Sequence, residues 1–277
     1  MREGSFVAID GIRTHYLEAG REHRGKRPSV LLLHSAEYGG AAEFSWEYNL
    51  EALGAHHHVL APDHLGFGLT DKLFDFCGQF NRRIAHIRRF LEVMDTGPVN
   101  VIASSMSGGM ALAVAARKQT DWPIAKLVVS SGGGEAPDNA ARKILNSYDG
   151  TREHMRRILG VMFLDKKWAH DGAYVERRWE MSRLPGAWEA TTAARFKAPF
   201  REAGGAKERD AIDYGAIRVP VLVFAGRHDP LRKPGYWQDF VPLIPNAELH
   251  IFERAAHMGH IECAEEFNAR VLRFLAE

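Results

Sequence analysis

A serine hydroxyl is a weak nucleophile at neutral pH; it gains reactivity from a histidine base, which a carboxylate in turn orients. Three residues of this 277-residue chain have the types and positions for that relay: Ser105, Asp229 and His257. Ser105 stands in Ala103-Ser104-Ser105-Met106-Ser107. An apolar, β-branched run (Val99 to Ala103) precedes it, and an Ala-, Leu- and Met-rich stretch from Met110 to Lys118 reads as the following helix. A serine on a sharp strand-to-helix turn, with small residues two positions to either side, is a nucleophile elbow. The usual pattern is G-x-S-x-G; here Ala103 and Ser107 take the glycine places.

Behind such an elbow the acid comes next along the chain and the histidine last. Asp229 lies a few residues past the apolar run Val221 to Ala225, and His257 lies beyond Leu249 to Phe252. The relay also needs two backbone N–H groups to hold a developing oxyanion. Met106 supplies one, and the loop His34-Ser35-Ala36-Glu37-Tyr38-Gly39-Gly40 is the place for the second, at the Ala36 amide. Blander roles exist for each residue. His260, three residues on, is a rival base, and Asp229 beside Pro230 has the composition of a turn cap. Asp10 and Asp63 also end or follow strands, but in the wrong half of the sheet. His56-His57-His58 reads as a helix-to-strand linker, because consecutive residues rarely point at one metal ion.

The elements that must position these groups alternate. Phe6 to Ile9 and Ile12 to Glu18 flank Asp10-Gly11, a hairpin signal. Ser29 to Leu33, His58 to Ala61, Val99 to Ala103, Ile124 to Ser130, Val219 to Ala225 and Glu248 to Phe252 read as buried strands. Between them fall helical patterns over Trp46 to Gly54 and Gln79 to Met94, the latter with Phe80, Ile84, Ile87, Phe90, Leu91 and Met94 on one face. Its arginines Arg82, Arg83, Arg88 and Arg89 read as a solvated face. The expectation is an α/β fold, a mostly parallel central sheet with helices on both faces.

The alternation breaks once. Residues 135–215 carry helical patterns only (Asn139–Tyr148, Arg152–Phe163, Ala173–Met181, Trp188–Arg195). A stretch of this length is no bare loop. It reads as an inserted helical cap (lid) over the carboxyl ends of the strands, where such folds hold ligands. Residues 1–134 and 216–277 then form the core domain.

With 36 basic and 35 acidic residues no overall field favours nucleic acid or an anionic membrane. Cys77 and Cys263 make neither a disulfide framework nor a metal spacing, and no leader or membrane-spanning run stands out. A cytoplasmic location, a small-molecule substrate and no metal or organic cofactor are expected, with homo-oligomerisation left open.

At this point the chain resembles the α/β-hydrolase superfamily over nearly its whole length. More narrowly it is similar to the meta-cleavage product hydrolases, which cut a C–C bond in 2-hydroxy-6-oxo-dienoates from aromatic degradation. Tyr16 to Gly20, His58 to Asp71, Ser105 to Gly109, Thr151-Arg152-Glu153, Val161 to Lys166, and His257 with Glu262 and Glu266-Phe267-Asn268 carry the resemblance. It implies that Arg178, in Tyr174 to Glu180, grips the substrate carboxylate; the plainer alternative puts Arg178 on the outer face of a charged helix beside Arg177. It also implies that His257 assists conversion of the dienol to its keto form, after which water or Ser105 attacks the C6 ketone.

The departures fall at the site. His34-Ser35-Ala36-Glu37 replaces the family's H-G-G-G, Ser104 its Asn before the nucleophile, and Ala256-His257-Met258 its Gly-His-Trp. Ser35, Glu37, Ser104 and Met258 are therefore expected to contact substrate along with Arg178. Either Glu37 points outward or the substrate differs, since like charges in a desolvated site repel. Carboxylester or lactone hydrolysis by the same triad is the alternative activity. Ligand binding without catalysis and cofactor-free oxygenation are further options on this fold. Ser105 excludes the epoxide hydrolases and haloalkane dehalogenases, which need Asp there. Trp168, Trp179 and Trp188 suit either a substrate tunnel or helix packing.

Overall fold

Strand-forming runs and helical stretches alternate through most of the computed structural model, which describes residues 4–76, 79–193, 195 and 211–277. Strands β1 (Ser5–Ile9) and β2 (Ile12–Ala19) form the expected hairpin about Asp10-Gly11. After β3 (Ser29–Leu33) come short helices α1 (Ala42–Ser45) and α2 (Leu50–Gly54), then β4 (Val59–Pro62), α3 (Gln79–Val93), β5 (Val99–Ser104), α4 (Met106–Ala115) and β6 (Ile124–Ser130). Five helices follow without a strand among the described residues: α5 (Ala140–Asn146), α6 (Arg152–Met162), α7 (Lys167–His170), α8 (Gly172–Ser182) and α9 (Ala187–Ala193). The chain closes with β7 (Val221–Gly226), β8 (Ala247–Phe252), α10 (Gly259–Glu262) and α11 (Ala264–Ala276).

The eight strands make one sheet in the order β1-β2-β4-β3-β5-β6-β7-β8. From β4 to β8 all neighbours are parallel, and β2 is antiparallel to both of its neighbours. Alternate strand residues face opposite layers, as the two-residue period requires. Leu31, Leu33, Val101, Ala103, Val129 and Val223 pack with Ile84, Ile87 and Phe90 of α3 and Met110, Leu112 and Val114 of α4. Val30, Leu32, Ile102, Val128 and Leu222 pack on the other side with Leu50 and Leu53 of α2 and Phe267, Val271 and Phe274 of α11. A third cluster gathers Met155, Ile158, Leu159, Trp168, Tyr174 and Met181 around Tyr38, Phe44, Leu231 and Met258, so α6 to α8 pack on the loops that leave the sheet. No described helix is long and apolar enough to cross a membrane.

Three expectations are corrected. The helix read over Trp46 to Gly54 is helical only from Leu50, with Trp46 to Asn49 in a turn that separates it from the preceding short helix α1. Asn49 there donates from Nδ2 to the His260 carbonyl (3.1 Å) and Asn268 Oδ1 (2.8 Å), tertiary bonds that hold the turn. The helix after Ser105 starts at Met106, not Met110, because the elbow leads into it without a linker. Arg83 is not on a solvated face: it is buried, with Nη1 3.2 Å from Met106 Sδ. Arg82, Arg88 and Arg89 do lie outward, paired with Asp75, Glu92 and Asp10 respectively. Cys77 and the end of the pattern expected to run to Arg195 fall partly outside the described residues.

One buried carboxylate ties the first half of the fold together. Asp63, just after β4, accepts from the Ala42 amide (2.7 Å) with Oδ1. Its Oδ2 accepts from the Leu69 amide (2.9 Å) and from His15 Nδ1 (2.7 Å). Burial pushes this carboxyl up, but the hydrogen bonds from His15 and from the Ala42 amide outweigh it, and its pKa is depressed. A depressed carboxylate contributes stability that is present above its unfolded value of about 3.9 and is lost as pH falls toward the folded value. Asp63→Asn is predicted to destabilise the protein at pH 7 by about 1–3 kcal/mol, with the deficit narrowing below about pH 4. Urea unfolding of both proteins across this range checks it; a deficit that stays constant into acid counts against this role.

Candidate active site

Strand β5 ends at Ser104, and the next residue turns the chain through φ 54° and ψ −111° before α4 begins. Non-glycine residues rarely occupy this region, which costs of order 1–3 kcal/mol. The Ser105 amide is fixed by the Ser130 carbonyl of β6 (2.8 Å), and its own carbonyl accepts from Gly109 (3.1 Å). Met106 is thereby the first residue of a helix, and its N–H has no intrahelical acceptor.

The three expected residues meet. Asp229 is buried, and its carboxylate Oδ2 accepts from His257 Nδ1–H at 2.7 Å. The other ring nitrogen then carries a lone pair, and His257 Nε2 lies 2.8 Å from Ser105 Oγ. Asp229 Oδ1 accepts from the Leu231 amide (2.8 Å), which fixes the carboxylate plane. The two loops that carry acid and base run side by side because Gly226 has no side chain: a Cβ there would lie 1.9 Å from the Ala256 carbonyl.

Each loop is pinned by groups to which the sequence reading gave no such role. Arg142 of α5 donates to the Leu231 carbonyl from Nε (3.0 Å) and Nη2 (2.8 Å), and Asn139 Nδ2 donates to that of Pro230 (2.8 Å). Arg232 donates to the carbonyls of Ser131 and Gly133. The His257 amide donates to the Met162 carbonyl at the end of α6 (3.0 Å). Glu262 accepts from the Ala256 amide (2.8 Å) on one oxygen and from Leu164 (2.8 Å) and Asp165 (3.0 Å) on the other. His260, the rival base, is fully buried, with Nδ1 3.1 Å from Ser130 Oγ and its ring against Trp46. Burial above all pushes it down to about 3, so it stays neutral.

The loop after β3 is held against the elbow by a second polar node. Ser107 Oγ–H donates to the His34 carbonyl, so His64 Nε2–H must be the donor to Ser107 Oγ (2.7 Å). His34 Nδ1–H donates to the Ser35 carbonyl (2.6 Å), and its Nε2 accepts the His64 amide (2.9 Å). Burial depresses both rings, and both are neutral. Ser107 thus fills a place where the elbow pattern has glycine and uses its hydroxyl to hold the loop. Ala36 follows, its carbonyl accepting from Arg195 Nη2 (2.8 Å). Neither the Ala36 nor the Met106 amide donates to another backbone carbonyl among the described residues.

Of the residues expected to contact substrate, Arg178 and Glu37 form a buried pair, Arg178 Nη2 donating to Glu37 Oε1 at 2.6 Å. Both alternatives in which either side chain faces outward are thereby overturned. Burial would raise the Glu37 carboxyl, but the Arg178 guanidinium and then Ser35 outweigh it and the pKa falls. Ser35 and Ser104 are buried, and Met258 is buried against α6 to α8. Trp168 stacks on Phe163, while Trp179 and Trp188 donate to the carbonyls of Gly150 and Tyr148, so all three have packing roles within the helical segment.

Residues 28–264 match the family model described as alpha/beta hydrolase fold. The chain is 31% identical, over 98% of its length and 90% of the relative's, to a 2-hydroxy-6-oxo-6-(2'-aminophenyl)hexa-2,4-dienoic acid hydrolase of Metapseudomonas resinovorans. It is 29% identical, over 99% of its length and 94% of the relative's, to a 2-hydroxymuconate semialdehyde hydrolase of Pseudomonas sp. strain CF600. Among solved structures, a serine hydrolase involved in carbazole degradation superposes with TM-score 0.82 at 28% identity, covering 99% of this chain and 98% of the other. A meta-cleavage product hydrolase from Pseudomonas fluorescens IP01 shares the fold with TM-score 0.85 at 24% identity, covering 99% of this chain and 97% of the other.

The Asp229 bond to Nδ1 selects the His257 tautomer that can accept the Ser105 proton. Asp229→Asn is predicted to lower hydrolytic turnover about 10³–10⁴-fold while the thermal midpoint moves little. Ester hydrolysis and a melting curve on both proteins check it; a loss below tenfold removes Asp229 from the relay.

Proposed function

The chain belongs to the α/β-hydrolase fold family, and from that premise we propose that it hydrolyses the C–C bond of a 2-hydroxy-6-oxo-dienoate-like product of aromatic degradation. The observation that carries this reading is the unbroken hydrogen-bond relay from Asp229 through His257 to Ser105. The substrate class follows the relatives, which match the chain nearly end to end.

In this reading His257 helps move the dienol to its keto form, which places a saturated carbon beside the bond to be cut. Ser105, or a water activated by His257, attacks the C6 ketone. The negative charge passes to the ketone oxygen, where the amides of Met106 and Ala36 receive it. Collapse of that intermediate returns the carbonyl and breaks the C–C bond; the electron pair leaves with the five-carbon dienol acid. Water completes the C6 fragment as a carboxylic acid. The helices between β6 and β7, within residues 135–215, act as the cap that excludes water and selects the C6 substituent. No cofactor enters these steps. A cytoplasmic location accompanies this reading, supported by the scarcity of cysteine.

The test follows the bleaching of a yellow C6-aryl 2-hydroxy-6-oxo-hexa-2,4-dienoate by wild-type protein and by Ser105→Ala. Rapid bleaching in the wild type, reduced at least about 10³-fold in the variant, is expected. Ser105-dependent cleavage of a nitrophenyl ester without any bleaching would assign ester hydrolysis instead.

A further inference from the structure

The loop that carries Ala36 brings a carboxylate against Arg178, and the backbone shows that the contact is built in. Gly39, at φ 70°, packs so close to α8 that a Cβ there would lie 2.3 Å from the Arg178 carbonyl. The loop and the helix therefore meet backbone to backbone, and Glu37 and Arg178 come together 141 residues apart in sequence. The side chains are 2% and 0% exposed.

The pair is incomplete. One Glu37 oxygen receives one guanidinium nitrogen; Glu37 Oε2 and Arg178 Nε and Nη1 are buried without a hydrogen-bond partner among the described residues. One acceptor and two donors of this buried pair are left unpaired, and Ser104 Oγ, also without a partner, lies at the end of β5. Burial penalises every such group that stays unpaired. A bare carboxylate satisfies the Arg178 donors but offers nothing to Glu37 Oε2 except repulsion. A cation satisfies Glu37 and is repelled by Arg178. A head group that donates from one atom and accepts on its neighbour satisfies both.

We propose that the Glu37–Arg178 pair is a specificity device for a 2-hydroxy (or 2-enol) acid, with the hydroxyl donating to Glu37 Oε2 and the adjacent carboxylate accepting from Arg178. On the dienoate reading, on which this rests, Glu37 takes the 2-hydroxyl and Arg178 the C1 carboxylate. Glu37 neutralises the arginine's attraction for carboxylates in general, and the hydroxyl is what restores affinity. The residue is thus a filter against acids that lack the hydroxyl.

Calorimetric titration of the wild type, Glu37→Gln and Glu37→Ala with 2-hydroxyhexanoate and with hexanoate tests this without any turnover. The wild type is expected to prefer the hydroxy acid about tenfold or more, the factor expected of a hydrogen bond to a charged acceptor. Both variants are expected to bind hexanoate about tenfold more tightly than the wild type does, because the repelling charge is gone, and to lose most of the preference. A gain of affinity is a readout that loss of structure does not produce. Equal wild-type affinities for the two acids overturn the proposal, as does hexanoate binding that is unchanged or weaker in Glu37→Gln with its unfolding transition intact. A protein that fails to bleach dienoates leaves these titrations unaffected, so the two readings fail separately.

Discussion

Ser105 occupies a backbone conformation that a residue with a Cβ adopts only under compulsion, and the rest of the site depends on what supplies it. The compulsion comes from both sides of the turn. Strand β5 is hydrogen-bonded along its length to β3 and β6, which fixes the direction in which the chain arrives. Helix α4 is pressed into the apolar layer by Met110, Leu112 and Val114, which fixes the direction in which it leaves. The single residue between them must absorb the change, and a strain of order 1–3 kcal/mol is small beside the burial of these side chains. The same turn gives a half-buried hydroxyl within reach of His257 and, one residue later, a helix-terminal amide with no intrahelical acceptor. The hydroxyl and the free amide that the proposed mechanism uses are consequences of one constraint.

Around this turn the polar groups fall into two kinds. Those that position the machinery are satisfied: Ser107 between His34 and His64, Asp229 between His257 and the Leu231 amide, Glu262 across three amides. Low dielectric strengthens such closed networks and leaves few alternative arrangements. Ser104 and the open edges of the Glu37–Arg178 pair are equally buried and are left unsatisfied, as are scattered atoms elsewhere such as His64 Nδ1 and Trp46 Nε1. The open edges of that pair are where the proposal above places the head group of a ligand.

The sequence made legible what depends on order along the chain. The β-branched runs located all eight strands, and the topological order of serine, acid and histidine picked out Ser105, Asp229 and His257 from chemistry repeated elsewhere, including fourteen histidines. What stayed hidden depends on partners far away. A charged residue is buried only if something pairs with it, and nothing near Arg178 in sequence announces Glu37. The same holds for Arg83, whose helical face looked solvated, and for Asp63, whose partners His15 and Ala42 lie on elements before it. Trp46 to Gly54 has helical composition throughout, yet Asn49 breaks it by bonding to residues more than two hundred positions later. Ser107 was the one concealed residue with a local signal: a hydroxyl where the elbow needs only something small.

The joints between the helical segment and the acid–base loops carry a further consequence. The His257 amide is bonded to the last turn of α6, Glu262 bridges Ala256 to Leu164 and Asp165, and Arg142 and Asn139 grip the carbonyls beside Asp229. One of these joints is backbone to backbone, and the others need only the side chains of Glu262, Arg142 and Asn139. The helices can therefore exchange the residues of their inner face, such as those packed around Met155 and Tyr174, without disturbing the base or its carboxylate. A shift of the whole segment is another matter, since it pulls on His257 directly. Attachment through these few groups, with freedom elsewhere, would let one relay serve different substrates, and on the proposal above the choice falls to the Glu37–Arg178 pair, where loop and helix meet.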